Sequence, residues 1–151
     1  MKRLFIFLAV CMIAVQIHAQ VAGKITQIIN TEQATYGQAS YLAAVAAGMA
    51  SDADSYERCF DVLKNENMIQ GNPSLKDAIT AKNFADMISK SWNVNNSIFY
   101  RITGHPRYAF KQLKAAGVIP STYYPNRILS GQEMMNIMTL CLEKFDATGR
   151  N

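Results

Sequence analysis

The sequence predicts an all-α fold assembled from about two and a half copies of a helix–loop–helix unit. Three observations carry that expectation. Apolar residues recur with a 3.6-residue period in five segments, and none alternates with period two over the length of a strand. A shift of 50 residues lays segment 59–88 on segment 109–138 without a gap. Half of the 151 residues are apolar, enough to give one domain a core.

Residues 1–19 stand apart. Met1-Lys2-Arg3 is a short basic opening, Leu4 to Ile17 is apolar, and Ile17-His18-Ala19 ends in a small residue before Gln20. This is the pattern of a secretory signal peptide cleaved after Ala19. Its apolar run of about 14 residues is shorter than the roughly 20 that a bilayer-spanning helix needs. Lipidation at Cys11 fits poorly, because Val10 is larger than the residue expected before a lipidated cysteine. Residues 20–34 are expected to form an extended segment, 35–146 the helical domain and 147–151 a tail.

Helices are expected over about 36–49, with Ala39, Leu42, Ala43 and Ala46 on one stripe, and over about 55–66, with Tyr56, Cys59, Phe60 and Leu63. The next two cover about 81–92 (Phe84, Met87, Ile88, Trp92) and about 106–116 (Ala109, Phe110, Leu113). The last covers about 131–145, with Met134, Ile137, Met138, Cys141, Leu142 and Phe145. Thr35 with Gln38, and Ser130 with Glu133, have capping-box spacing, in which each side chain satisfies a backbone N–H of the first turn. Thr80 with Asn83 is an imperfect copy. Asp54 with Glu57 reads as a further cap, and His105 before Pro106 as a cap or loop residue. Asn67 and Gly117 stand where a left-handed C-cap is expected.

Under the 50-residue shift, Cys59-Phe60 meets Ala109-Phe110, Leu63 meets Leu113, and Asn67-Met68-Ile69 meets Gly117-Val118-Ile119. Ile79-Thr80 meets Leu129-Ser130, while Phe84, Met87 and Ile88 meet Met134, Ile137 and Met138. Coincidental amphipathic helices would not keep the loop length as well. The helix at 36–49 resembles the second helix of the unit, with Thr35 aligned to Thr80 and Ser130. Its first helix would fall inside the signal peptide.

Gly104-His105 is followed by Tyr108-Ala109-Phe110, Leu113, Gly117-Val118-Ile119, Tyr123-x-Pro125, and then Leu129-Ser130-Gly131-Gln132-Glu133-Met134. In that order the motifs resemble the S-layer homology (SLH) repeat: Gly-His-Trp-Ala, Leu-x-x-x-Gly-Ile-Ile, aromatic-x-Pro, and Ile-Thr-Arg-Ala-Glu-Phe. The resemblance covers about 35–142. It implies a compact pseudo-threefold helical bundle and a non-enzymatic module anchored to acidic or pyruvylated cell-wall polysaccharide. The family's Trp is Pro106 here, and its three binding arginines are replaced by Tyr36, Ala81 and Gly131. The capping residues remain while the ligand arginines are gone, with Lys82 next door to one of them.

The expected function is therefore an exported module, periplasmic or otherwise envelope-associated, that binds a wall polysaccharide, peptidoglycan or an envelope protein. Grooves at the helix starts are the expected site, because unpaired N–H groups there favour anions. The candidate ligand residues are Tyr36, Gln38, Lys82, Asn83, Gln132 and Glu133, with Tyr123 and Arg127 from an aromatic-basic loop. A scaffold with no glycan site is the alternative. A small periplasmic hydrolase is more remote, since no nucleophile–His–acid set is present. No cofactor or metal is called for: Met134, Met138 and Cys141 fit core packing better than a Cu(I) site. Trp92 reads as core or rim, and the acids Asp52, Asp54, Glu57 and Asp61 suit a helix start. Removing Lys2 and Arg3 lowers the formal charge from +4 to +2 with the basic residues spread out, which argues against nucleic acid. No stable membrane span remains after cleavage. Cys59 and Cys141 fit either a disulfide or two buried thiols.

Overall fold

The computed structural model describes residues 22–94 and 104–145; the signal-peptide and tail expectations lie outside them. Among the described residues the chain is all-helical, with six helices and no strands. They are α1 (22–29), α2 (Tyr36–Ala46), α3 (Tyr56–Asn65), α4 (Ala81–Ser91), α5 (Pro106–Ala115) and α6 (Gly131–Phe145). No helix among them is long and apolar enough to cross a membrane.

α1 corrects the expectation of an extended segment at 20–34. Gly23 and the β-branched residues Ile25, Thr26, Ile28 and Ile29 all lower helix propensity. Burial overrides them. Ile28 is fully buried, Ile25 packs against the core, and Thr26 and Thr31 donate their hydroxyls to the carbonyls of Ala22 and Gln27 at 2.9 and 2.8 Å.

The helix ends follow from local chemistry. Thr35 and Gln38 form the expected capping box, and Ser130 pairs with Glu133 in the same way at 3.2 and 3.0 Å. Thr80 makes no cap bond, and its buried hydroxyl has no partner among the described residues. The cap of α3 is Ser55, which accepts from the Arg58 N–H at 3.2 Å, rather than Asp54. Asp54 is turned back to accept from the Ser51 N–H at 2.8 Å. Asn67 (φ 56°) and Gly117 (φ 72°) are left-handed, each closed by a 2.9 Å bond from the next N–H to the carbonyl of Leu63 or Leu113. Gly48 (φ 70°) does the same for α2 and stops it at Ala46, short of the expected 49.

The three residues before the caps of α2, α4 and α6 meet in a closed ring of backbone hydrogen bonds. Ala34 N–H donates to Leu129 O at 2.8 Å, Leu129 N–H to Ile79 O at 3.2 Å, and Ile79 N–H back to Ala34 O at 2.8 Å. All three residues are fully buried. Burial satisfies the ring only because every polar group in it has a partner.

α2 is buried along its length from Tyr36 to Ala44. Its main neighbours are α3 and α4. α4 packs in turn on α5. Trp92 belongs to the core and donates its indole N–H to the Ala43 carbonyl at 3.4 Å. Met134, Met138 and Cys141 are core residues as well. Cys59 and Cys141 are both buried free thiols. Burial pushes them up to about 11 and about 12 respectively, with nearby Asp54 adding to the effect at Cys59, so neither forms a ready thiolate.

Candidate functional site

The helix starts are not open. Tyr36 N–H donates to Asp77 O at 3.0 Å and Gly37 N–H to Leu75 O at 2.9 Å. Ala81 N–H donates to Arg127 O at 2.8 Å and Lys82 N–H to Pro125 O at 2.9 Å. Gly131 N–H donates to Thr31 O at 2.8 Å. Loop carbonyls from elsewhere in the chain thus consume the N–H groups that a bound anion was expected to use. This corrects the proposed groove chemistry.

Several of the expected ligand residues are also structural. Tyr36 and Gln38 are buried. The Tyr36 hydroxyl accepts from Asn83 Nδ2 at 2.6 Å, and burial raises its pKa despite that bond. Gln38 completes the α2 capping box and donates to Thr31 Oγ1 at 2.9 Å. Gln132 is exposed and donates to its own helix neighbour Asn136 at 3.1 Å.

Tyr123, Arg127 and Glu133 do come together, but around one another. The Glu133 carboxylate accepts from Tyr123 Oη at 2.7 Å, Arg127 Nε at 3.1 Å and the Ser130 N–H at 3.0 Å, with Arg127 Nη2 closing the pair. The Arg127 guanidinium lies 4.6 Å from the Tyr123 ring centre. Burial alone would raise the Glu133 pKa; the bonds from Arg127, Ser130 and Tyr123 outweigh it and hold the carboxyl below its ordinary range. A depressed carboxyl contributes stability that is full above its unfolded pKa and lost as pH falls through the folded one. Glu133→Gln keeps the capping geometry, as Gln38 does in α2, but loses the charge pairing with Arg127, and is expected to cost about 1 kcal/mol at pH 7. It should also flatten the acid limb of the stability–pH curve below pH ~4.5. Equal acid sensitivity of mutant and parent in urea melts would contradict this.

Among the described residues, an open hollow lies beside this network. A cleft of ≈350 Å³ is lined by Lys82, His105, Arg107, Pro125 and Asn126. His105 caps α5, its Nδ1 accepting from the Arg107 N–H at 3.2 Å. Lys82 and Arg107 occupy the same place on their helices, two residues after the cap, and neither first turn contains an acid. A helix N-terminus carries the positive end of the macrodipole, so acids are favoured there and cations disfavoured. The cleft gathers two such helix starts and two cations, with no carboxylate among the described residues that line it. That arrangement suits an anion, which the two side-chain cations would meet rather than the already bonded N–H groups of α4.

The sequence marks Lys82 as a candidate and places Asn126 in the aromatic-basic loop; it offers His105 only as a cap or loop residue and does not single out Arg107. The available signal was the lack of any acid in the first turns at Ala81 and Pro106. Comparison with family models, with curated proteins and with solved structures finds no match to this chain.

Proposed function

We propose that the chain is an exported, non-enzymatic module of the cell envelope that binds an anionic envelope glycan through the Lys82–His105–Arg107 cleft. The observation that carries the reading is the acid-free meeting of Lys82 and Arg107 at two helix N-termini. The SLH-like organisation is supported by geometry repeated 50 residues apart. Lys64 and Lys114 lie 5.8 and 5.7 Å from the ring centres of Phe60 and Phe110, and Asn67 and Gly117 close their helices with matching bonds. The ring through Ala34, Ile79 and Leu129 fits three second helices about a pseudo-threefold axis, with α1 standing in for the missing first helix. Export is supported by the composition of residues 1–19.

The scaffold reading, with a protein partner and no glycan, is favoured by one observation: the helix starts are sealed and Tyr36 and Gln38 are buried. Co-sedimentation with purified wall polymer separates the two. Lys82→Ala combined with Arg107→Ala should lower retention by at least about tenfold, the equivalent of 1.4 kcal/mol. Retention that is unchanged by the double substitution, or absent in the parent, sinks the glycan reading.

A further inference from the structure

We propose that the outer face of α6 docks an amphipathic helix of a partner protein, one carrying the small–Phe–x–x–Leu–Lys pattern that α3 and α5 share. This face lies outside the Lys82–His105–Arg107 cleft and shares no residue with it. α2 packs on the helix that follows it, α3, and α4 packs on α5. Among the described residues, none of α2 to α5 packs on α6 to a comparable extent, and α1 meets it at its start, where Ile28 lies against Gly131. The two covering helices present the same residues. Cys59-Phe60 and Leu63-Lys64 in α3 match Ala109-Phe110 and Leu113-Lys114 in α5, with the small residue, the Phe and the Leu buried in both.

The face that these helices cover can be followed through all three second helices. Ser40, Tyr41 and Ala44 of α2 are buried, and the Tyr41 ring meets Tyr56 of α3 edge-on at 5.5 Å. Ala85, Asp86 and Ser89 hold the same places in α4 and are buried too. Met135, Asn136 and Thr139 hold them in α6, where Met135 is half-buried and the other two are exposed. Gln132 and Leu142 extend the stripe at helical spacing, and Leu142 is 42% exposed. None of these five residues is charged, whereas the solvent faces of α3 and α5 carry Glu57, Arg58, Asp61, Arg107 and Lys111. Depletion of charge is the mark of a contact centre rather than of a free surface. The stripe's polar groups are also largely satisfied within α6: Thr139 Oγ1 donates to Met135 O at 3.0 Å, and Asn136 Oδ1 accepts from Gln132 Nε2 at 3.1 Å. A covering helix therefore strands little hydrogen-bonding capacity. The stripe continues, at its third place around the ring of Ala34, Ile79 and Leu129, the interface that α2 makes with α3 and α4 with α5. That continuity fixes the occupant as a helix of the α3 and α5 type. The apolar faces of α3 and α5 are buried in their own chain, so a second copy does not supply it.

The test is fluorescence anisotropy with labelled peptides of residues 55–66 and 105–117, the chain's own α3 and α5 offered in trans to the purified protein. At least one should bind with a dissociation constant of about 100 μM or tighter, a weak affinity because a free peptide must first order as a helix. Phe60→Asp or Phe110→Asp in the peptide, and Thr139→Arg in the protein, should each weaken binding at least about tenfold. Urea melts of Thr139→Arg should match the parent, since position 139 is exposed. Four results would each overturn the proposal. They are failure of both peptides to bind, equal binding of a scrambled peptide, binding untouched by Thr139→Arg, and a parent dimer that Thr139→Arg converts to monomer. The third places the peptide in a slot vacated by the chain's own α3 or α5, and the fourth gives the face to a second copy. A protein that takes the peptide in a Thr139-dependent way but does not sediment with wall polymer keeps this docking face and loses the glycan reading.

Discussion

Gly131→Ala is expected to destabilise the fold by about 2 kcal/mol, against the usual direction of a glycine-to-alanine change in a helix. A Cβ at position 131 would lie 1.6 Å from the Ile28 carbonyl oxygen, 2.6 Å from its carbon and 3.4 Å from Ile29 Cα. These are backbone atoms, so no rotamer change relieves the overlap. α1 must lift away, which exposes Ile28 at about 2 kcal/mol and breaks the bond from Gly131 N–H to Thr31 O at about 1 kcal/mol. Alanine's better helix propensity returns about 1 kcal/mol. Urea melts measure the net effect, and amide exchange locates it: protection should vanish over residues 25–31 and persist at Ile79 and Leu129. A stabilised variant, or uniform loss of protection, would refute this account of α1. An arginine at 131, where the SLH repeat that the sequence resembles carries one, would meet the same overlap. The site is closed sterically as well as chemically.

Phe84→Ala should be the most damaging single truncation, at about 3–5 kcal/mol. Phe84 is fully buried in α4, the helix that packs on both α2 and α5. Removing the ring forfeits its transfer energy and leaves a void bordered by two helix interfaces, which limits relaxation. The denaturation midpoint should fall with the slope unchanged. A loss under about 1 kcal/mol would mean that the neighbouring helices collapse into the gap and that the core is looser than its burial indicates.

The helices α3 to α6 were legible because each carries a stripe that the 3.6-residue period exposes, α2 because it is a capped apolar run that is buried on all sides, and Asn67, Gly117, Thr35 and Ser130 mark the ends. α1 was not. Its stripe is short, its residues are β-branched, and what folds it is burial of Ile28 and Ile25 in a core built by residues far along the chain, with Gly131 leaving room for the Ile28 carbonyl. The sealed helix starts were hidden for a related reason. Their partners are main-chain carbonyls of Leu75, Asp77, Pro125, Arg127 and Thr31, and backbone carbonyls leave no trace in side-chain patterns. Glu133 was legible as a cap, but its role as the hub of Tyr123 and Arg127 depends on how the loop 120–130 folds back over α6. The cleft was half legible. Lys82 stood out, whereas Arg107 matters through its nearness to Lys82 across the cleft.

The three hydrogen bonds linking Ala34, Ile79 and Leu129 bear on how the chain reaches this structure. Helical proteins usually fold quickly because most of their contacts are local. Here each link joins residues separated by at least one whole helix–loop–helix stretch, and the link from Ala34 to Leu129 spans nearly the whole described chain. Such closures pay a loop entropy that no single unit recovers on its own, and the ring is complete only when the third strand of backbone arrives. The pairs α2–α3 and α4–α5 can therefore form early as local associations, with final locking left to one late, concerted step. A chain halted before residue 129 during synthesis would lack that step, so the domain matures as a whole rather than unit by unit.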